Sequence, residues 1–287
     1  MIRVFPRKTQ FSPIDDLAFY DEPPLYPVPD LPVVVSVVFT WDIERGKQLA
    51  LAWNTKDIGG PAFGDPGGEF EPGRFVRHGV TITSRGCPKQ CPWCFVPKRE
   101  GKLRELKIQP GHIVQDNNLL ACSQGHIEKV FEMLANQKKG IEFKGGIDID
   151  YLEPWHVEMM KKIKVAEIWV ACDSKAGLNR LDKAVDLLAD FPINKKRCYV
   201  LIRHGDETIT ESESRCKAVY AKGFLPFAQL FRDETSKKYS KEWRNLARKW
   251  SRPAIYRSIK GLMSLPIPQP QIRPADNPEN LNEPTAF

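Results

Sequence analysis

Strand-like and helix-like segments alternate along this chain from residue 77 to about residue 250, and few folds accommodate such an order. Short apolar runs typical of buried strands occupy residues 80–83, 141–143, 165–171, 197–202 and 224–231. Segments with apolar residues at helical spacing lie at residues 124–136, 154–163, 178–189 and 211–221. The order predicts an α/β fold in which helices cover a parallel sheet that is open or curved into a partial barrel.

Residues at the predicted helix starts have the chemistry that helix N-termini need. Ser123 can cap the helix at 124–136, and Pro154 suits the first turn of the next helix. Thr210 and Glu213 form a capping-box pattern at the last helix of the alternating region. Asp42 can cap an earlier helix that runs to about residue 53. These signals agree with the boundaries that the apolar periodicity predicts.

Three further parts surround the alternating core, which we place at residues 77–252. Residues 1–32 are rich in proline and aromatic residues and predict an extended N-terminal arm. Residues 33–76 predict a small α/β unit, with a strand at 33–39 and one helix, followed by a Gly/Pro-rich linker. A charged helix is predicted at residues 238–250, and residues 253–287 predict an extended Pro-rich tail.

The composition, with 41% hydrophobic and 28% charged residues, is that of an ordinary globular protein. The longest apolar stretch, at residues 31–39, is too short to cross a bilayer. Residues 1–8 lack the apolar segment of a secretion signal. We therefore expect a cytoplasmic protein that does not bind a membrane.

The cysteines carry the strongest chemical signal in the sequence. There are seven, an odd number, which argues against a disulfide framework in a chain without a secretion signal. Three of them follow the strand at 80–83 in the segment Gly86-Cys87-Pro88-Lys89-Gln90-Cys91-Pro92-Trp93-Cys94. Thiolates spaced in this way on one loop can bind one inorganic centre. Because a [4Fe–4S] cluster normally takes four thiolates, three would leave one iron open to another ligand.

The C-x3-C-x2-C spacing, the preceding Gly86 and the aromatic Trp93 resemble the radical S-adenosylmethionine superfamily. The resemblance covers residue 77 to about residue 235 and implies a partial (βα)6-type parallel barrel. It also implies that Cys87, Cys91 and Cys94 hold a [4Fe–4S] cluster whose open iron binds S-adenosylmethionine, with Trp93 near the adenine. The implied reaction is reductive cleavage to a 5′-deoxyadenosyl radical, with electrons from a flavodoxin or ferredoxin type of donor.

Further cofactor contacts are predicted at strand ends. Gly145 and Gly146 are followed by Ile147 and Asp148. The segment resembles the Gly-Gly-Glu segment with which the superfamily holds the amino group of S-adenosylmethionine, with the acidic residue displaced by one position. Polar residues also follow the later strands, where α/β barrels collect ligands. Of these, Asp173 and Arg203 are the preferred pair for a ribose hydroxyl and a carboxylate, ahead of Ser174, His204, Gln229 and Arg232.

Two alternatives stay open at this point. A structural zinc site could be completed by His78, His112, Cys122 or His126, although the second close cysteine pair that such sites usually have is missing. In that case the protein would be a non-catalytic metal protein with a basic nucleic-acid-binding surface. The segment at residues 33–61 also loosely resembles a truncated cobalamin-binding module. It lacks the Asp-x-His-x-x-Gly signature of that module, so we do not expect cobalamin.

The net charge of +7 makes an anionic substrate or a nucleic acid a candidate partner. Basic residues are concentrated beside the cysteines and again at residues 237–252. The second group includes Lys241, Arg244 and Arg248 and is interleaved with Tyr239, Trp243 and Trp250. Because Trp243 and Trp250 are seven positions apart, we expect both to pack against the core and the charges to face solvent. Cys122, Cys172, Cys198 and Cys216 are expected to be core residues.

Overall fold

The computed structural model describes residues 1–65, 67–232 and 238–258. A first unit is a four-stranded parallel sheet with strand order β2-β1-β3-β4. Its strands are β1 (Ile2–Val4), β2 (Ala18–Phe19), β3 (Val33–Ser36) and β4 (Ile58–Gly59). Helix α1 (Ile43–Ala52) packs on this sheet through Leu49, and the following Trp53 joins the same buried cluster.

The predicted N-terminal arm is thus partly a strand, because Ile2–Val4 is an inner strand paired on both sides. The prolines between residues 23 and 32 conceal this role, since the strand precedes them and spans only three residues. Asp42 precedes α1 but makes no capping hydrogen bond with its side chain. Its carboxylate instead accepts hydrogen bonds from Arg7, at 2.5 and 2.6 Å.

The second unit contains a six-stranded sheet in which every neighbouring pair is parallel, with strand order β12-β11-β10-β9-β8-β5. These strands are β5 (Val80–Thr81), β8 (Ile113–Val114), β9 (Ile141–Phe143), β10 (Val165–Ala171), β11 (Lys196–Ile202) and β12 (Leu225–Leu230). A separate antiparallel pair is formed by β6 (Ser84–Arg85) and β7 (Arg104–Glu105). The predicted mixed α/β architecture with a parallel sheet is confirmed.

The helices of this unit are α2 (Val96–Arg99), α3 (Gln124–Ala135), α4 (Pro154–Lys161), α5 (Lys175–Leu187), α6 (Ile209–Ala221), α7 (Lys241–Trp250) and α8 (Pro253–Arg257). Short 3-10 helices occupy Thr40–Asp42, Pro61–Phe63, Leu119–Ala121 and Ile193–Lys195. No helix in the described part of the chain combines the length and the apolar character that crossing a membrane requires. Residues 259–287, most of the predicted Pro-rich tail, lie outside the described residues.

The strands of the large sheet follow one another in sequence order, so right-handed connections place their helices on one face. Alternate strand residues such as Cys198, Val200 and Ile202 are fully buried in the core on that face. The neighbouring residues point to the opposite face, where the rings of Trp169, Tyr199 and Phe227 contact one another. The curvature of this sheet into a partial barrel stays a prediction.

The helix starts only partly match the sequence signals. Ser123 accepts a hydrogen bond from the amide of His126, and Pro154 lies in the first turn of α4, both as predicted. The capping box of α6 is formed by Thr208 and Glu211, two residues before the predicted pair. Helix α5 begins at Lys175 because Ser174 caps it, three residues before the predicted start.

One strand of the sheet was missed, and this changes the position of the Gly-Gly segment. Strand β8 is only two residues long, which is too short for a periodic pattern to register. The cysteine loop follows the first strand of the sheet as predicted, but Gly145 and Gly146 follow the third strand and not the second. Residues 115–118 occupy the loop after the second strand.

Candidate functional site

The three cysteines lie on a loop, residues 86–103, whose two ends are joined by the antiparallel pairing of β6 with β7. Within the loop, the amide of Cys94 donates a hydrogen bond to the carbonyl of Cys91, and α2 follows immediately. Glu100 binds back toward the start of the loop, where it accepts from Arg85 and from the amide of Gly86, each at 3.4 Å. The two ends of the loop are therefore tied together by contacts within the protein.

A buried carboxylate joins the entry of this loop to the sheet. Asp116, only 1% exposed, lies just beyond β8. It accepts hydrogen bonds from the amide and hydroxyl of Thr83, at 2.7 and 2.6 Å, and from the hydroxyl of Ser84 at 2.7 Å. Burial raises the pKa of Asp116, and the three donors oppose that shift. This anchor fixes the point at which the chain leaves the sheet and enters the cysteine loop.

A second anchor holds the middle of the loop. Lys89, between the first and second cysteines, pairs with Asp148 at 2.7 Å and with Asp150 at 2.6 Å. Arg180 of α5 also pairs with Asp150, at 3.3 Å. Desolvation lowers the pKa of Lys89, but the hydrogen bonds that it donates to the two carboxylates outweigh desolvation, and the pKa is raised overall. Asp148, predicted to contact a cofactor, is thus paired with Lys89, and Lys89 has carboxylate partners within the protein.

The cysteines themselves are accessible enough to bind a ligand. Cys87 and Cys91 are half-buried, and Cys94 is exposed. Desolvation by surrounding protein raises the pKa of Cys91 and of Cys94. Cys87 adds to the shift of Cys91, and both other cysteines of the loop add to the shift of Cys94.

The cysteine loop faces a cavity of about 590 Å³ at the carboxyl ends of the parallel strands. This volume is in the range of cofactor and substrate sites. Of the residues predicted for the site, all except Arg203 line this one cavity: Cys87, Cys91, Trp93, Cys94, Gly145, Gly146, Asp148 and Asp173. The sequence-derived site is therefore largely brought together by the fold.

The two glycines have different roles. A side chain at Gly145 would collide with the backbone of Asp116, so packing alone accounts for this glycine. Gly146 has φ +97° and nothing lies within 4 Å of where a Cβ would be, so its missing side chain leaves open space. Of these two glycines, Gly146 is the one with the open surroundings that a bound ligand would need.

Trp93 and Asp173 lie together at one end of the cavity. The Asp173 carboxylate accepts a hydrogen bond from the amide of Leu201 at 3.1 Å. Burial raises the pKa of Asp173, although the Leu201 amide and the nearby Trp93 side chain act to lower it. The Trp93 and His204 rings meet edge to face with their centres 5.5 Å apart. The His204 and Phe231 rings do the same, with their centres 4.8 Å apart. The order in sequence gives no hint of this aromatic row, because its members follow different strands.

Arg203 lies elsewhere. It is exposed, has φ +67° and donates to the carbonyl of Gly205 at 2.8 Å, while its guanidinium lies 5.7 Å from the centre of the Trp243 ring. It lines a separate cavity of about 380 Å³ that contains none of the cysteines. Arg203 therefore does not line the cavity under the cysteine loop, whereas Asp173 does.

The four residues considered as fourth zinc ligands do not line the cavity either. His126 is buried at the start of α3 with its imidazole 3.6 Å from Glu105, and Cys122 is a core residue. Among the described residues, no group of three or more His, Cys, Asp or Glu side chains is arranged to hold a single metal ion. A [4Fe–4S] cluster makes no such demand, since each of its cysteines binds a different iron.

The other cysteines are core residues, as predicted. Cys172, Cys198 and Cys216 are fully buried, and burial raises the pKa of Cys172 to about 11 and that of Cys216 to about 12. Trp250 is likewise fully buried, stacked on Tyr256 at 5.3 Å. Lys241, Arg244 and Arg248 are exposed and form no ion pair with any residue in the described ranges. Because Trp250 is buried, its ring cannot stack on a nucleic-acid base at the surface of α7.

The first unit also reaches the cavity, through Pro61. It contacts the segments that lead into β5 and out of β12, the two edge strands of the large sheet. Before β5, Arg3 donates to the carbonyls of Gly73 and Arg74, at 2.8 and 2.9 Å. After β12, the guanidinium of Arg232 lies 4.8 Å from the ring centre of Trp41. The predicted small α/β unit therefore covers part of the site.

Sequence reasoning missed Asp116, Asn117 and Asn118, which all line the cavity. A signal was present, since one acidic and two amide residues follow a short Ile-Val pair, as polar site residues follow buried strands.

The sequence matches no protein-family model and no curated protein.

Proposed function

We propose that this chain is a radical S-adenosylmethionine enzyme, with a [4Fe–4S] cluster on Cys87, Cys91 and Cys94. The observation that carries the proposal is that the C-x3-C-x2-C loop lies over a cavity at the carboxyl ends of a six-stranded parallel sheet. Six parallel strands in sequence order, with helices on one face, also support the partial barrel that the resemblance implies. The donor set, three thiols on one loop, suits a cluster that keeps one iron open.

Bound at these cysteines, the cluster with S-adenosylmethionine would supply one-electron reductive cleavage and a 5′-deoxyadenosyl radical for hydrogen abstraction. The chain contributes position. The two anchors, at Asp116 and Lys89, hold the cysteine loop at fixed points over the sheet. Gly146 leaves open space, and Trp93 with Asp173 offers a ring and a hydrogen-bonding carboxylate at one end of the cavity.

Exclusion of water is the second contribution of the protein. Pro61 of the first unit and Phe95 of the cysteine loop both line the cavity, and Phe95 stacks parallel to Phe231. Lys144 also lines the cavity, and it pairs with Glu142 at 3.2 Å and with Glu167 at 2.6 Å. Phe95 and the ion-paired Lys144 thus form part of the cavity wall. Such enclosure protects a reactive radical from side reactions.

The test of this function is anaerobic reconstitution followed by turnover. We expect about four irons per chain, and we expect 5′-deoxyadenosine on addition of dithionite and S-adenosylmethionine. Cys87→Ala, Cys91→Ala and Cys94→Ala should each lose both. Cys198→Ala and Cys216→Ala are matched controls, because those two thiols lie in the core, and they should keep both.

Stoichiometric zinc without iron uptake would contradict the proposal and favour a structural metal site. Equal loss in all five cysteine variants would show that the ligands are misassigned. A cluster that forms but never yields 5′-deoxyadenosine would leave only a non-catalytic iron–sulfur protein. If turnover is found, a flavodoxin or ferredoxin type of donor should replace dithionite, as expected for this chemistry.

A further inference from the structure

Asn118 is a buried amide placed between a predicted cluster ligand and a carboxylate. It lies four residues beyond β8, immediately before the 3-10 helix Leu119–Ala121, and is only 2% exposed. Its side chain lines the cavity under the cysteine loop. A polar side chain so completely removed from solvent normally has a full set of hydrogen-bond partners.

The contacts of its two side-chain atoms are unequal. The Nδ2 group donates to Oδ2 of Asp148 at 2.9 Å and lies 3.5 Å from Sγ of Cys87. Because a carboxylate oxygen can only accept, the amide nitrogen must be the atom that faces Asp148. The other atom, Oδ1, has no hydrogen-bond partner among the described residues. The amide is thus oriented by Asp148 so that its N–H groups point at the carboxylate and at the sulfur.

Asp148 is itself held in place, because Lys89 pairs with its second oxygen at 2.7 Å. Lys89 and Cys87 belong to the same loop, so the contacts form a closed path from loop to carboxylate to amide and back to the sulfur. The orientation of Asn118 is therefore fixed independently of whether anything is bound to Cys87.

We propose that Asn118 is a positioning residue that raises the reduction potential of the [4Fe–4S] cluster held by Cys87. The inference rests on the proposed function. Hydrogen bonds to the sulfurs are among the features that set the potential of such clusters. An N–H donor stabilises negative charge on sulfur, and the reduced cluster carries one more negative charge than the oxidised one, so the donor favours reduction.

The experiment is a redox titration of the reconstituted protein without S-adenosylmethionine, followed by electron paramagnetic resonance. Asn118→Leu keeps the approximate volume and removes the donor, and Asn118→Ser is a second variant too short to reach the sulfur. Asn117→Leu is the matched control. It removes a neighbouring cavity amide whose Nδ2 donates to Glu100 at 2.5 Å and not to a cysteine.

We expect both Asn118 variants to keep about four irons and to bind the electron about threefold to tenfold less tightly, where tenfold corresponds to 59 mV for one electron. Asn117→Leu should keep the wild-type potential. An unchanged potential in either cluster-loaded Asn118 variant overturns the inference. So does loss of the cluster in both folded variants, since Asn118 would then serve assembly. Failure of the wild-type chain to take up iron is a separate outcome that refutes the proposed function as well.

Discussion

Replacing Asp116 by Ala removes the carboxylate that joins the cysteine loop to the sheet. Three donors lose their partner: the amide and hydroxyl of Thr83 and the hydroxyl of Ser84, on residues with no exposed surface. Each buried donor left unpaired costs roughly 1–3 kcal/mol, which gives about 3–9 kcal/mol for the three. The substitution also relieves the burial of a charge, whose cost the raised pKa of Asp116 reflects.

The expected loss therefore lies in the lower half of that range, at about 3–5 kcal/mol. With an m value of about 3 kcal/mol/M in urea, this lowers the unfolding midpoint by roughly 1–1.7 M. Urea titration followed by circular dichroism measures it. The control is Asp150→Ala, which removes a half-exposed partner of Lys89 and Arg180 and should cost no more than about 1 kcal/mol.

The result that refutes this reasoning is a midpoint for Asp116→Ala within about 0.3 M of that for Asp150→Ala, since the m value converts 0.3 M to only about 1 kcal/mol. The carboxylate would then not be the anchor that the geometry indicates. If the anchor is real, iron uptake should also fall in Asp116→Ala at urea concentrations where the chain is still folded, because Thr83 and Ser84 lead directly into the cysteine loop.

Gly146→Val should keep the cluster and weaken S-adenosylmethionine binding, because a branched side chain would fill the open space beside Gly146; unchanged affinity in a folded variant would remove this residue from the site. The Glu211 carboxyl should titrate near pH 2 by nuclear magnetic resonance, because the Thr208 amide and Lys175 lower its pKa to about 2. Its contribution to the N-terminus of α6 is thus complete above its ordinary pKa of about 4.3 and lost as the pH falls through 2; an ordinary titration would contradict the capping box. If a nucleic acid is the partner, its affinity should fall steeply with salt, and the slope should flatten when three exposed cations are neutralised together, namely Lys241, Arg244 and Arg248; no binding at low salt would leave them as ordinary surface charge.

The longer elements of the core could be predicted closely from sequence. The prediction of a strand at 165–171 matches β10, and the strand at 197–202 differs from β11 by one residue. Both strands are buried on the helix side, so their apolar content is high enough to register. Strands β1 and β8, of three and two residues, are specified by their neighbours in the sheet and not by their own pattern.

The site divides in the same way. Cys87, Cys91 and Cys94 were predictable because local spacing alone brings them to one loop. Arg203 lines a different cavity, and its position after a strand says nothing of the left-handed backbone conformation or of its contacts with Gly205 and Trp243. Asn118 could not have been assigned to Cys87, since that contact joins residues 31 positions apart.

The contacts of the first unit with the segments before β5 and after β12 bear on how any ligand would reach the cavity. Swinging the unit open about Arg3 would break the contact of Trp41 with Arg232, and swinging it about Trp41 would break the bonds of Arg3. Opening the unit in either direction therefore breaks one of these two sets of contacts. We therefore expect a ligand to enter at the end of the cavity where Trp93 and Asp173 lie. These two residues also line a neighbouring cavity of about 300 Å³, together with His204. A bulky substrate would then enter between the N-termini of α5 and α6 and meet the aromatic row first.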